Sequence, residues 1–409
     1  MTTAKFLNGS HEIHGNIASI ETKTSRVIID FGMVGGFKSD TANNLIDSHL
    51  LPRLPELFTA QKSAFKYEAI VLTQINVENL TAAVYLKNNI EIYVSAEGFK
   101  LYRSLVQNGL FQPIDLNIKL MPTDLKIGDL LIHGYPSDCG VVGSQVLLIS
   151  DGKHKFGFVG DVRLNGPHKE RVYHWIRRFH QAQLDLLVFD ATAYSFSDEC
   201  RLFETSESGL QVQFSDLLKQ RRDLIVVNTD CCNPERLAMI HKTADSLGRK
   251  LVCEPSYAEV VAGMYPEIEL AVLESEHKKT TSKKFEVVKV SDLIDYPRRY
   301  VFQNSYDQIK FLQNFKAGIY LHSNGFPKIS ENRDFEFLQD SLKKLNFQYI
   351  DFSASSHAKK SDVSFIVETI KAKTSVPWHS YHPELAVKSL KQIETKFSLP
   401  KRDLPLEFD

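Results

Sequence analysis

From about residue 205 the chain repeats one pattern, a short apolar run followed by a capped helical stretch, and few folds accept it. Residues 223–228 read as a strand. Residues 234–247 read as a helix, with Asn233 as its N-cap and Pro234 at its first position, and Gly248 closes it before a second strand at 250–253. Strands separated by helices in this way pair in parallel, so this part of the chain is expected to form a parallel sheet flanked by helices.

The flanking sequence has another texture. Up to about residue 190 it reads mostly as strands and tight turns, with runs at 17–21, 26–30, 69–72, 90–94, 130–135, 144–150, 156–160 and 184–190. Residues 80–87 have helical spacing. A strand at 349–352 and a helix at 360–372 then return to the first style. The expected organisation is one α/β domain, residues 1–200 and 349–409, interrupted by an inserted α/β domain at 201–348. The lysine-rich stretch 278–284 reads as a solvated loop.

Composition narrows the class. At 409 residues, 43% hydrophobic and 24% charged, the chain suits a soluble globular protein with a sizeable core. A formal net charge of -1 gives no support to a protein that simply coats nucleic acid. No stretch reaches the roughly 18 apolar residues of a membrane span, and the first residues lack a secretory apolar region. The five cysteines include no C-x-x-C pair, which fits free thiols in a reducing cytoplasm.

Seven separated blocks carry the functional signal: residues 9–32, 69–82, 137–144 (SDCGVVGS), 160–166 (GDVRLNG), 189–192 (FDAT), 355–358 (SSHA) and 377–384 (PWHSYHPE). In this order they resemble the metallo-β-lactamase fold, specifically its β-CASP branch, to which ribonuclease J belongs. The resemblance spans nearly the whole chain. It implies an αββα sandwich with an inserted β-CASP α/β domain, and the ancestry of a metal-dependent RNA-processing hydrolase.

The same resemblance assigns positions. The family's strand-end T-H-x-H-x-D-H motif supplies ligands to a pair of metal ions. Here Thr73 is kept, but Gln74, Asn76, Glu78 and Asn79 stand at the ligand positions. Cys139 replaces the next ligand His, after a retained Asp138. Asp161 matches the bridging Asp, Asp190 the carboxylate that ends a strand, and His379 the final ligand, with His382 nearby. Ser356 and His357 match a motif that handles substrate phosphate or the leaving group, which makes Asp161 and His357 the candidate catalytic residues.

Amides are neutral and poor zinc ligands, so the loss of three imidazoles is expected to abolish the usual site. Glu78, Asp161 and His379 are the residual metal candidates. Cys139 reads better as a small buried hydrophobe than as a ligand. Read alone, Asp161 could equally cap a loop or pair with Arg163.

Two functional readings follow. In the first the chain is a pseudoenzyme without a cofactor, which binds RNA, a nucleotide or a protein partner and does not hydrolyse it. The partner could be a second copy or an active paralogue. In the second, Glu78, Asp161, Asp190 and His379 hold one Mn, Mg or Zn ion, His357 steadies phosphate, and the chain remains a phosphodiesterase.

Overall fold

A computed structural model describes residues 1–33, 40–59, 61–76, 80–87, 89–112, 115–197, 203, 205–274, 285–327 and 332–409. The molecule is a mixed α/β protein, and its described residues form three seven-stranded sheets. It divides into two compact units. The first comprises Met1–Lys100, Pro113–Phe203 and Ser355–Asp409, and the second Leu101–Gln112 and Glu204–Ala354. Among the described residues no helix is long and apolar enough to cross a membrane.

The first unit holds two sheets. One orders its strands Leu406–Phe408, Thr2–Asn8, Ile17–Glu21, Ser25–Ile29, Tyr67–Val71, Glu91–Val94 and Ile118–Leu120. The other runs Lys396–Phe397, Thr374–Trp378, Leu186–Asp190, Lys155–Phe158, Gln145–Ser150, Leu130–Pro136 and Asp124–Ile127. Phe6, Ile20, Val27 and Val71 of the first share a core with Leu130, Phe156, Val188 and Trp378 of the second, so the two sheets face each other.

Strand alternation explains why the strand Leu186–Asp190 is apolar up to its terminal carboxylate. Leu186 and Val188 point into the core between the sheets. Leu187 and Phe189 point the other way, against Trp175 and Phe179 of helix Lys169–Ala182 and Val363 and Ile366 of helix Lys360–Ile370. A strand covered on both faces needs apolar residues at every position.

The second unit is built on one parallel sheet, in the order Glu286–Val288, Ala271–Leu273, Lys250–Cys253, Tyr300–Gln303, Ile225–Thr229, Gly318–Ser323 and Phe347–Asp351. Every neighbouring pair described is parallel. Ile225 and Val227 face one core and Val226 the other, so apolar cores cover both faces. Helix Pro234–Ser246 starts as expected, with the Asn233 side chain accepting from the Arg236 N–H and Pro234 at the first turn. Gly248 follows at φ +70°, where glycine carries no Cβ penalty.

Two sequence expectations need correction. The strand expected at 349–352 is Phe347–Asp351. It pairs with Gly318–Ser323 and closes the parallel sheet, so the chain returns to the first unit at Ser355. Residues 80–87 form no α-helix, only a short 3-10 turn at Ala83–Tyr85. Leu80, Thr81, Ala82 and Ala83 are all buried, and four consecutive buried residues do not lie on one helical stripe. The stretch 278–284 lies outside the described residues.

Candidate functional site

Parallel strands bring their carboxyl ends to one edge, the usual place for function in such sheets. In the second sheet of the first unit, Lys155–Phe158, Leu186–Asp190 and Thr374–Trp378 run parallel. Asp161 and His379 follow two of these strands and Asp190 ends the third. In the facing sheet, Ser25–Ile29 and Tyr67–Val71 also run parallel, and Asp30, Thr73 and Gln74 emerge beyond them. The two groups touch where the Gln74 Nε2 donates to Asp161 Oδ2 at 2.8 Å.

Gln74 uses both ends of its amide. Its Oε1 accepts from the Cys139 thiol at 2.7 Å. Cys139 is fully buried, and burial, with a smaller push from the Asp161 charge, raises its thiol to about 12. The sulfur therefore keeps its proton and donates it. Asn76 lies in the same loop, partly exposed, while Glu78 and Asn79 lie outside the described residues.

Both histidines singled out in the sequence reach the carboxylates. His379 Nδ1 lies 3.1 Å from Asp161 Oδ1. His357 Nδ1 lies 2.9 Å from Asp190 Oδ2 and 3.8 Å from Asp161 Oδ1. Burial alone would raise the Asp161 carboxyl. The His357 charge, the His379 hydrogen bond and charge, and the Gln74 amide outweigh it and hold the carboxyl well below the usual range. Asp190 also accepts from the Thr192 backbone N–H at 2.9 Å. Ser356 is partly exposed, and it is Ser355 whose Oγ accepts from the His357 N–H, at 3.0 Å. His382 turns elsewhere, 3.3 Å from Glu384.

Among the described residues, Arg163 pairs with Asp138. Its Nε donates to Asp138 Oδ1 at 2.7 Å, and Asp138 Oδ2 accepts from the His168 N–H at 2.8 Å. This buried pair ties the loops 137–144 and 160–166 together. Gly166 is needed there, because a Cβ would sit 2.1 Å from Asp138 Oδ2.

Two further residues of the site escaped the sequence reading. Asp30 is buried and accepts from the Thr73 N–H at 2.8 Å and from the Thr73 hydroxyl. Burial raises its carboxyl to about 6 against those bonds. Asn16 Nδ2 lies 3.1 Å from His379 Nδ1 and donates to the Ile13 carbonyl at 2.6 Å. Both fall inside the block 9–32. Asp30, at the end of an apolar run, was the readable signal, whereas Asn16 offered none. Asp30 and His379 also share a left-handed backbone, φ 55° and 54°. Non-glycine residues held there commonly mark functional sites.

No family model matches the chain, and no curated protein matches it. A crystal structure of a protein of unknown function from Enterococcus faecalis is similar to it at 21% identity. The TM-score is 0.84, and the likeness covers 99% of this chain and 99% of that one. The two share a fold.

Among the described residues, the donors on this edge do not suit a pair of divalent cations. The Gln74 amide turns an N–H toward Asp161, where a cation would compete, and the Cys139 thiol is held protonated. A single ion is better served. Asp161, Asp190 and His357 offer ligand atoms that all lie within 4.8 Å of one another. Such an oxygen-rich set suits Mn²⁺ or Mg²⁺ better than zinc. His379 Nε2, buried and without a hydrogen-bond partner among the described residues, is a further nitrogen at the same edge.

Proposed function

We propose that the chain is a β-CASP-branch member of the metallo-β-lactamase fold that has become a pseudoenzyme, binding a phosphate-bearing ligand, RNA or a nucleotide, without hydrolysing it. Paired mixed sheets with helices outside, and a parallel sheet inserted before the Ser355–Ala358 segment, support the fold part of this reading. The observation that carries the functional part is the Gln74 amide. It supplies a hydrogen bond to Asp161 where the family has a cation-binding imidazole, and the Cys139 thiol fixes its orientation. Hydrolysis in the family depends on metal-activated water, whose pKa falls to around 7. A carboxylate balanced by an amide and two imidazoles does not need the ion.

The test is a nuclease panel on 5′-phosphorylated RNA and single-stranded DNA with zinc, manganese or magnesium added. Turnover indistinguishable from that of an Asp161→Ala variant is expected, together with binding that depends on the 5′-phosphate. Robust turnover that disappears in Asp161→Ala would overturn the proposal.

A second reading is favoured by the Asp161, Asp190 and His357 cluster. In it these residues hold one Mn²⁺ or Mg²⁺, which supplies Lewis-acid charge when bound, and the chain keeps a slow phosphodiesterase activity. A manganese-soaked crystal with no ion on these three residues excludes it.

A further inference from the structure

The second unit has its own edge of strand carboxyl ends. Strands Lys250–Cys253, Tyr300–Gln303 and Ile225–Thr229 are neighbours in that order. The chain leaves Lys250–Cys253 toward Ala271–Leu273 on one side, and leaves Tyr300–Gln303 toward Gly318–Ser323 on the other. Adjacent strands whose connections diverge open a crevice, and ligands of parallel sheets collect there.

The residues at this edge are rich in chemistry. Asp230, Cys231 and Cys232 follow Ile225–Thr229 directly. The Asp230 carboxylate is fixed by the Cys232 N–H, which donates to Oδ1 at 2.8 Å. One carboxylate oxygen and the two sulfurs all lie within 4.8 Å of one another. Cys231 is partly exposed and Cys232 is buried, and neither forms a disulfide. Thr229 Oγ1, Gln303 Nε2 and Asn304 Oδ1, at the ends of the same two strands, are buried without a hydrogen-bond partner among the described residues.

We infer that Asp230, Cys231 and Cys232 form a site for a thiophilic divalent cation of the zinc type. Two thiolates and a carboxylate are a zinc donor set, with bonds of about 2.3 Å to sulfur and about 2.0–2.2 Å to oxygen. Around one tetrahedral ion such donors stand roughly 3–4 Å from one another. The observed cluster therefore needs little rearrangement to close on a metal. Three protein ligands leave a fourth position for water or an incoming ligand. Binding deprotonates both thiols and releases the protons to solvent, so affinity rises with pH. The site lies in the other unit from the Asp161 edge and does not depend on how that edge is read.

The test uses the full chain, stripped with chelator, kept reduced and titrated with Co²⁺. One equivalent is expected to bind with a thiolate-to-cobalt charge-transfer band that Zn²⁺ then abolishes. Cys231→Ser and Cys232→Ser should each weaken binding roughly tenfold or more, and the double variant should lose the band. Cys231→Ser alters a partly exposed side chain, so its retained circular dichroism keeps the comparison valid. Asp161→Asn should leave the band unchanged, which separates this site from any ion on the first unit. Absence of the band at saturating cobalt, or an undiminished band in the double variant, would overturn the proposal.

Discussion

Single residues at the Asp161 edge carry opposite electrostatic burdens, and pH separates them. Asp30 is raised to about 6, so the native state holds its proton more tightly than the unfolded chain does. Its contribution to stability is full below the ordinary carboxylate range and is lost as pH rises through about 6. The loss should reach about 2–3 kcal/mol, at 1.36 kcal/mol per pKa unit. Asp30→Asn, uncharged throughout, should flatten the fall in denaturation midpoint between about pH 4 and pH 7. An unchanged profile would contradict the assignment. Asp161 works in the other sense, stabilising above the ordinary range and failing only in stronger acid. The thiols offer a second check. In metal-free native protein, iodoacetamide at mildly alkaline pH should label Cys231 and spare Cys139 and Cys253, which peptide mass mapping will read. Burial raises both spared thiols, so thiolate and access are lacking together.

At the scale of elements, the sequence disclosed what repeats and concealed what depends on contact. The alternating pattern after residue 205 and the apolar run Leu186–Asp190 were legible because burial on two faces leaves a period that sequence can show. Residues 80–87 misled because Leu80, Ala83 and Val84 keep helical spacing, whereas the burial of four adjacent side chains from Leu80 on belongs to a tight turn. The Asp138–Arg163 pair was unreadable, since it joins loops 25 residues apart and nothing local selects it over Asp161. Gly160 is an element-level constraint of the same kind. A Cβ there would sit 2.5 Å from Thr73 Oγ1, where the two sheets' strand ends approach. Gly160→Ala should cost about 1–3 kcal/mol in denaturant titration, the usual range for overpacking. A neutral result would mean that Thr73 can move away from Asp30 freely.

For the whole molecule, a chain that leaves a unit and re-enters it places distant residues together. Asp190 and His357 are 167 positions apart and meet at 2.9 Å. The boundary was harder to read. The strand Phe347–Asp351 resembles its neighbours on either side, and only its pairing assigns it to the second unit. Charge at this scale gives a further prediction. With a net charge of -1, the chain should bind random duplex nucleic acid weakly, with no complex at micromolar protein in roughly 0.15 M salt. Micromolar affinity with a steep salt slope would contradict a ligand recognised by its terminal phosphate. The Gln74 amide, finally, bears on dependence on metal supply. An imidazole in that place would tie the loop's order to whatever manganese or zinc the surroundings provide. An amide hydrogen-bonded to Asp161 and Cys139 asks nothing of that supply. On the proposed reading, the contacts of Gln74 should therefore survive exhaustive chelation unchanged.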